Sequence, residues 1–189
     1  MMTERRKLAV ILPGIGYTCD RPLLYYSGKL ARGLGWEVLS VPYGGFPAKV
    51  RGDRERMKQS AEIAAAQTED LLRDAGWSRF DQIVFISKSI GTVAAAAYSD
   101  AHGICCRHIL FTPLEETFAR RIPKAIAFHG TADPWADTAR IRSLCESAGI
   151  PLYITEDANH SLETGDVDRN IRNLADVMRQ VRLYLSAEA

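Results

Sequence analysis

Residues 8–12, Leu-Ala-Val-Ile-Leu, form an unbroken apolar run that stops at Pro13 and Gly14. A strand covered on both faces has this pattern, because neither side chain row meets water. Runs of the same character occupy residues 37–41, 82–86, 108–111, 125–128 and 152–155. Between them the apolar period changes to three or four, as on a helix with one buried stripe. The stretches 22–34, 53–75, 90–101, 138–148 and 166–185 read this way. Gly35, Gly76, Gly103 and Gly149 follow four of them at the place where a helix commonly ends. In the last stretch Val167, Ile171, Leu174, Val177 and Val181 fall on one stripe, so that stripe is expected to be buried.

Strand and helix alternate throughout, except that residues 112–123 join two strands through a short charged segment with room for one helical turn. The pattern predicts an α/β fold in three layers, α/β/α, around a mostly parallel sheet of about six strands with right-handed crossovers. No linker, repeat or low-complexity tract interrupts it, so residues 1–189 read as a single domain. Open parallel sheets bind ligands beyond the carboxyl ends of their strands. The loops to inspect are therefore 14–21, 43–51, 87–91, 112–121, 129–137 and 156–165.

Composition narrows the classes. With 47% hydrophobic and 25% charged residues the chain can bury a core, and disorder is excluded as its main description. Lys plus Arg is 24 against 23 Asp plus Glu, a balance that argues against nucleic acid as the main partner. The first apolar run is too short for a signal-peptide core, and no run spans a membrane. A cytoplasmic protein without a membrane partner is expected. Cys19, Cys105, Cys106 and Cys145 have neither zinc spacing nor the density of a disulfide framework. They read as reduced thiols, mostly in packing roles.

The chemistry concentrates in three loops. Ser87-Lys-Ser89-Ile-Gly91 stands between an apolar strand and an Ala-rich helix. A nucleophilic serine needs such a turn, with small residues two before and two after it, and the amide of Ile90 would face a developing oxyanion. The competing reading is a helix cap by Ser87 or Ser89. Asp133 lies just after the fifth predicted strand, in His129-Gly-Thr-Ala-Asp133-Pro-Trp135, and His160 just after the sixth. Histidine can take the serine proton and return it to a leaving group. A carboxylate fixes the imidazole tautomer and stabilises its cation. Among other carboxylates, Asp137 reads as the cap of the next helix, and Asp157 as a turn former that can reach back toward His160.

With these motifs the chain resembles a small, lidless α/β-hydrolase over nearly its whole length. The resemblance implies a minimal fold that lacks the family's first two strands, residues 8–12 matching the third. It implies acyl transfer through an acyl-enzyme by Ser89, Asp133 and His160, with no metal or organic cofactor. It places one oxyanion amide on Ile90 and the second on Ile15, with Gly16 and Tyr17 as alternatives. Three positions depart from the pattern: Ser87 stands where Gly is usual, Pro13-Gly14 where many members have His-Gly, and Asn159 where Gly commonly precedes the histidine. The expected substrate is a small carboxylic ester or thioester, since the short 112–123 link leaves little material for a cap.

Gly14-Ile-Gly16 after a strand suggests a dinucleotide loop, but Cys19 occupies the sixth position where glycine is needed, and no acidic residue closes the second strand. A non-catalytic binding protein on the same fold, and a flavodoxin-like phosphate binder, are the alternatives in other classes. Tyr17, Tyr43 and Trp135 fall on the active-end loops as candidate pocket walls. His129 reads as a packed structural residue, His102 as a helix-end residue, and His108 as core or edge. Lys88 reads as a solvated side chain in preference to a contact for an anionic substrate. The mixed-charge stretch 51–58 reads as a solvated helix start.

Overall fold

A computed structural model describes residues 5–187. Six strands form one sheet, every neighbouring pair parallel: β1 (Lys7–Leu12), β2 (Glu37–Ser40), β3 (Gln82–Lys88), β4 (Arg107–Phe111), β5 (Ala125–Gly130) and β6 (Leu152–Thr155). Their order is β2-β1-β3-β4-β5-β6. The helices are α1 (Pro22–Gly33), α2 (Arg54–Leu72), α3 (Ile90–Ala101), α4 (Thr138–Ala148) and α5 (Val167–Ser186). One 3-10 turn, Glu115–Ala119, occupies the β4–β5 link, and another, Trp77–Arg79, precedes β3.

Strand pleating sorts the core into layers. Ala9, Ile11, Val84, Ile86, Ile109, Phe111, Ile126 and Phe128 pack against Leu23, Leu24 and Ala31 of α1 and Val177, Val181 and Leu185 of α5. The alternate residues Leu8, Val10, Leu12, Ile83 and Phe85 face Ala64 and Leu72 of α2 and Ala94, Ala95 and Tyr98 of α3. Beside them Leu110 and Ala127 meet Ile141 and Cys145 of α4. Buried on both faces, β1 and β3 to β5 have no room for alternation, which explains their continuous apolar runs.

Local chemistry sets the helix ends. Asp53, Asp137 and Asp166 each accept a hydrogen bond from a first-turn amide, at 3.0, 2.8 and 2.9 Å. Asp53 and Asp166 are therefore caps, not first helical residues as the period suggested. Pro22 opens α1, where its missing N–H is no loss, and Gly149 closes α4 at φ 66°. Helix α2 stops at Leu72, three residues before the expected end.

The α5 stripe is only half buried. Val177 and Val181 are in the core, but Val167 is 71% and Ile171 62% exposed. The cause is length: a 20-residue helix runs about 30 Å, and the four residues of β6 about 13 Å. The first turns of α5 overshoot the sheet at its carboxyl end. No disulfide joins the cysteines; Cys106 and Cys145 are buried, Cys19 is half-buried and Cys105 is exposed. Among the described residues no helix is long and apolar enough to cross a membrane.

Candidate active site

The chain reverses direction of growth at β1, which pairs with β2 on one side and β3 on the other. The crevice at such a switch point opens between the loops that follow β1 and β3. The first loop carries Ile15 and the second carries Ser89.

Ser89 sits at φ 54°, ψ −122°, a backbone region unfavourable for any residue with a Cβ. Its amide is held by the Phe111 carbonyl at 3.0 Å, and its own carbonyl accepts from the Thr92 amide at 2.8 Å. Ser89 makes no side-chain capping bond to α3, which removes the cap reading. Gly91 is required two residues on. A Cβ there would stand 2.5 Å from both the Leu12 and the Pro13 carbonyl oxygens. Ser87, two residues before, is fully buried with only a long 3.4 Å contact to the Ile109 carbonyl, so a small side chain fits where the family pattern has none.

The three side chains from separate loops meet. The Ser89 hydroxyl lies 2.8 Å from His160 Nε2, and His160 Nδ1 lies 2.7 Å from Asp133 Oδ2. The other Asp133 oxygen accepts the Trp135 amide at 2.8 Å. Asp133 has no exposed side-chain surface and His160 keeps 12%. With Nδ1–H donated to the carboxylate, Nε2 is left as the acceptor of the serine hydroxyl. Burial lowers the His160 pKa below the ordinary 6.5, against the Asp133 hydrogen bond, which raises it; the Lys88 charge lowers it further. The shift favours the neutral imidazole, the form that can accept the serine proton.

The acid and histidine loops are tied together by the Ala132 amide to the Ala158 carbonyl at 2.9 Å and the Asp157 amide to Thr131 Oγ1 at 2.8 Å. Asn159 folds the histidine loop. Its side-chain oxygen accepts the Ser161 amide at 2.7 Å, and its own amide donates to the Glu163 carbonyl at 2.8 Å. That accounts for Asn where glycine is common. Asp157 turns outward to Arg169 at 3.1 Å and does not reach His160, while Asp137 is a helix cap. His129 is fully buried, with Nε2 3.1 Å from Thr138 Oγ1 and Nδ1 3.8 Å from Asp133 Oδ2.

An open cavity of about 190 Å³ lies over Ser89 and His160, walled by Ile15, Gly16, Tyr17, Ile90 and Trp135 among others. Trp135 stacks on the His160 imidazole with ring centres 5.4 Å apart. The amide of Tyr17 is engaged with the Gly14 carbonyl at 3.3 Å. No acceptor takes the Ile15, Gly16 or Ile90 amides among the described residues, so of the three first-loop candidates Ile15 and Gly16 keep a free donor and Tyr17 does not.

Three expectations change. Tyr43 does not line the cavity; its hydroxyl pairs with Thr68 Oγ1 at 2.6 Å and its ring packs edge-on to Phe46. Lys88 is not solvated: it is 2% exposed, with its ammonium 4.8 Å from the centre of the Tyr17 ring. Met57, within the stretch read as a solvated helix start, is a cavity wall, as is Leu114 of the β4–β5 link. Thr112 supports the site as well. At φ 42° it is strained, and its hydroxyl donates to the His160 carbonyl at 3.1 Å. A β-branched residue in a left-handed turn has no sequence signature, although Thr112 directly follows β4 and so begins one of the loops at the carboxyl rim of the sheet. His108 is core, stacked on Phe85, and its burial drives its pKa down to about 4. His102 sits at the end of α3 beside Glu69, 2.8 Å away. The described residues contain no cluster of three or more metal-ligating side chains.

No protein-family model and no curated protein sequence matches this chain. Solved structures do match it. An α/β serine hydrolase homologue from Coxiella burnetii superposes with a TM-score of 0.69 at 16% identity, over 98% of this chain and 88% of that one. A serine hydrolase without lid from Xanthomonas campestris gives 0.64 at 14% identity, over 99% and 86%. A Pyrococcus furiosus esterase gives 0.67 at 14% identity, over 96% and 82%. The chain therefore has the α/β-hydrolase fold, in a minimal six-strand form.

Proposed function

We propose that the protein is a serine hydrolase that cleaves carboxylic esters or thioesters of small molecules through an acyl-enzyme. The observation that carries the reading is the continuous hydrogen-bonded chain from Ser89 through His160 to Asp133. His160 Nε2 takes the hydroxyl proton as Ser89 Oγ bonds to the substrate carbonyl carbon. The carbonyl electrons move to oxygen, which the amides of Ile90 and of Ile15 or Gly16 stabilise. As the tetrahedral species collapses, the bond to the alcohol or thiol breaks and the imidazolium protonates the leaving group. Water repeats the sequence, with His160 as base, and releases the acid and the serine. Every proton and electron pair is supplied by these residues, the substrate and water, so no metal or organic cofactor enters.

Trp135 and Tyr17 are the walls of this site for the substrate. The open cavity and the single helical turn in the β4–β5 link favour short or flexible acyl groups. The test is a panel of esters, thioesters and amides of graded acyl length, each read against Ser89→Ala. Turnover of short-chain esters that vanishes in the variant is expected. Turnover that survives in Ser89→Ala would move the nucleophile elsewhere.

A further inference from the structure

Lys88 is an anomaly in this site. It directly precedes the serine, is 2% exposed, and lines the same cavity as Ser89 and His160. Among the described residues it enters no ion pair within 4.0 Å and its ammonium donates no hydrogen bond. Asp133, which would be its natural partner, has one oxygen committed to His160 and the other to the Trp135 amide. Of the titratable groups that face it, Asp133 and the exposed Glu163 attract the ammonium and His160, when protonated, opposes it, all outside contact. The uncharged faces around it are the Tyr17 ring and the Gly14 backbone, whose Cα side lies close against the lysine stem. An ammonium this desolvated, opening only onto the cavity and with no protein acceptor, is costly to keep charged, and an acceptor that arrives with the ligand relieves that cost.

The geometry points to Lys88 as a specificity residue whose ammonium receives a carboxylate carried by the ester substrate, so that the site takes anionic esters in preference to neutral ones. This rests on the hydrolase reading of the same cavity. Burial also holds the lysine pKa down to about 7, with Asp133 and Glu163 opposing the shift, so near neutrality the free site is only partly protonated. Binding a carboxylate favours the protonated form, and the complex takes up protons from solution.

The test uses Ser89→Ala protein, which binds without turnover, and two ester pairs read by calorimetry at pH 7.5. Monoethyl glutarate against ethyl pentanoate places the charge on the acyl side. 4-Acetoxyphenylacetate against its methyl ester places it on the alcohol side. In at least one pair the charged member should bind on the order of tenfold or more tightly, the gain expected of one charge-assisted hydrogen bond. Its heat should vary with buffer ionisation enthalpy as proton uptake requires. Adding Lys88→Met should bring the pair within about twofold and abolish the uptake. Lys88→Arg, a cation at all accessible pH, should keep the preference and lose the uptake. Equal binding within both pairs, or a preference that survives Lys88→Met, overturns the assignment. Wild-type turnover separates the two ideas: failure to hydrolyse any neutral or charged ester sinks the hydrolase reading, yet leaves the Lys88 preference measurable in the binding arm.

Discussion

Replacing Asp133 with Asn changes the charge and one donor while leaving the shape intact. The carboxylate now accepts from two directions, the Trp135 amide at 2.8 Å and His160 Nδ1 at 2.7 Å. An amide can accept in only one of them. If its oxygen stays with Trp135, its NH2 faces Nδ1, which must become the acceptor. The imidazole proton then moves to Nε2, where it faces the Ser89 hydroxyl and cannot receive its proton. If the amide turns over, two N–H groups oppose each other in a site with no exposed side-chain surface, at a cost of about 2 kcal/mol. The productive tautomer is then held by roughly one molecule in thirty. Even that fraction has lost the negative charge that stabilises the imidazolium, an effect of a few kcal/mol at these distances. The sum is a fall in kcat of about 10³- to 10⁴-fold, or ~4–5.5 kcal/mol of barrier. Steady-state kinetics on a short activated ester, with circular dichroism to establish folding, measures it. A folded Asp133→Asn enzyme within tenfold of wild type would refute the assignment of the acid and the tautomer argument with it.

The lowered His160 pKa puts the acid limb of kcat/KM below pH 6.5, because the base must be neutral to act; a limb at or above pH 7 would contradict the burial argument. Gly91→Ala should lower stability by ~1–3 kcal/mol in denaturant titration and reduce activity, since its Cβ must displace the Leu12–Pro13 backbone that leads into the Ile15 loop. Ser87→Ala should keep most of the activity, as the Ser87 hydroxyl has only a long contact to Ile109; a loss as large as that of Ser89→Ala would shift the register of the turn. His108 is fully buried and its pKa is pushed from 6.5 to about 4, so the unfolded chain binds the extra proton first. Stability should thus rise with pH across that window, by about 3 kcal/mol from this group, and His108→Phe should flatten the rise in urea melts at pH 4.5 and 6.5.

The elements were legible because each rests on local signals. Continuous apolar runs specified β1 and β3, which are buried on both faces, and α3 and α4 have the bounds their periodicity and flanking residues predicted. Ser89, Asp133 and His160 were legible for a different reason. Each follows a strand, and a parallel sheet delivers all such loops to one rim. What escaped depends on distances across the fold. The exposure of Val167 and Ile171 follows from α5 being longer than β6, and periodicity carries no information about that mismatch. Tyr43 points at Thr68 because β2 lies at the sheet edge under α2, beyond the crevice at β1 and β3. Lys88 looked like any surface lysine. Its burial comes from the pleat, which turns the residue before the serine toward the layer that holds Tyr17, and from a Gly14 loop that closes over its stem.

The central claim is that Ser89 is an activated nucleophile, and covalent capture tests it most directly. Intact-mass spectrometry after incubation with a fluorophosphonate should show one adduct per wild-type molecule. Peptide mapping should place it on Ser89, with none on folded Ser89→Ala. Folded wild-type protein that stays unmodified, or carries the adduct on another residue, would contradict the account.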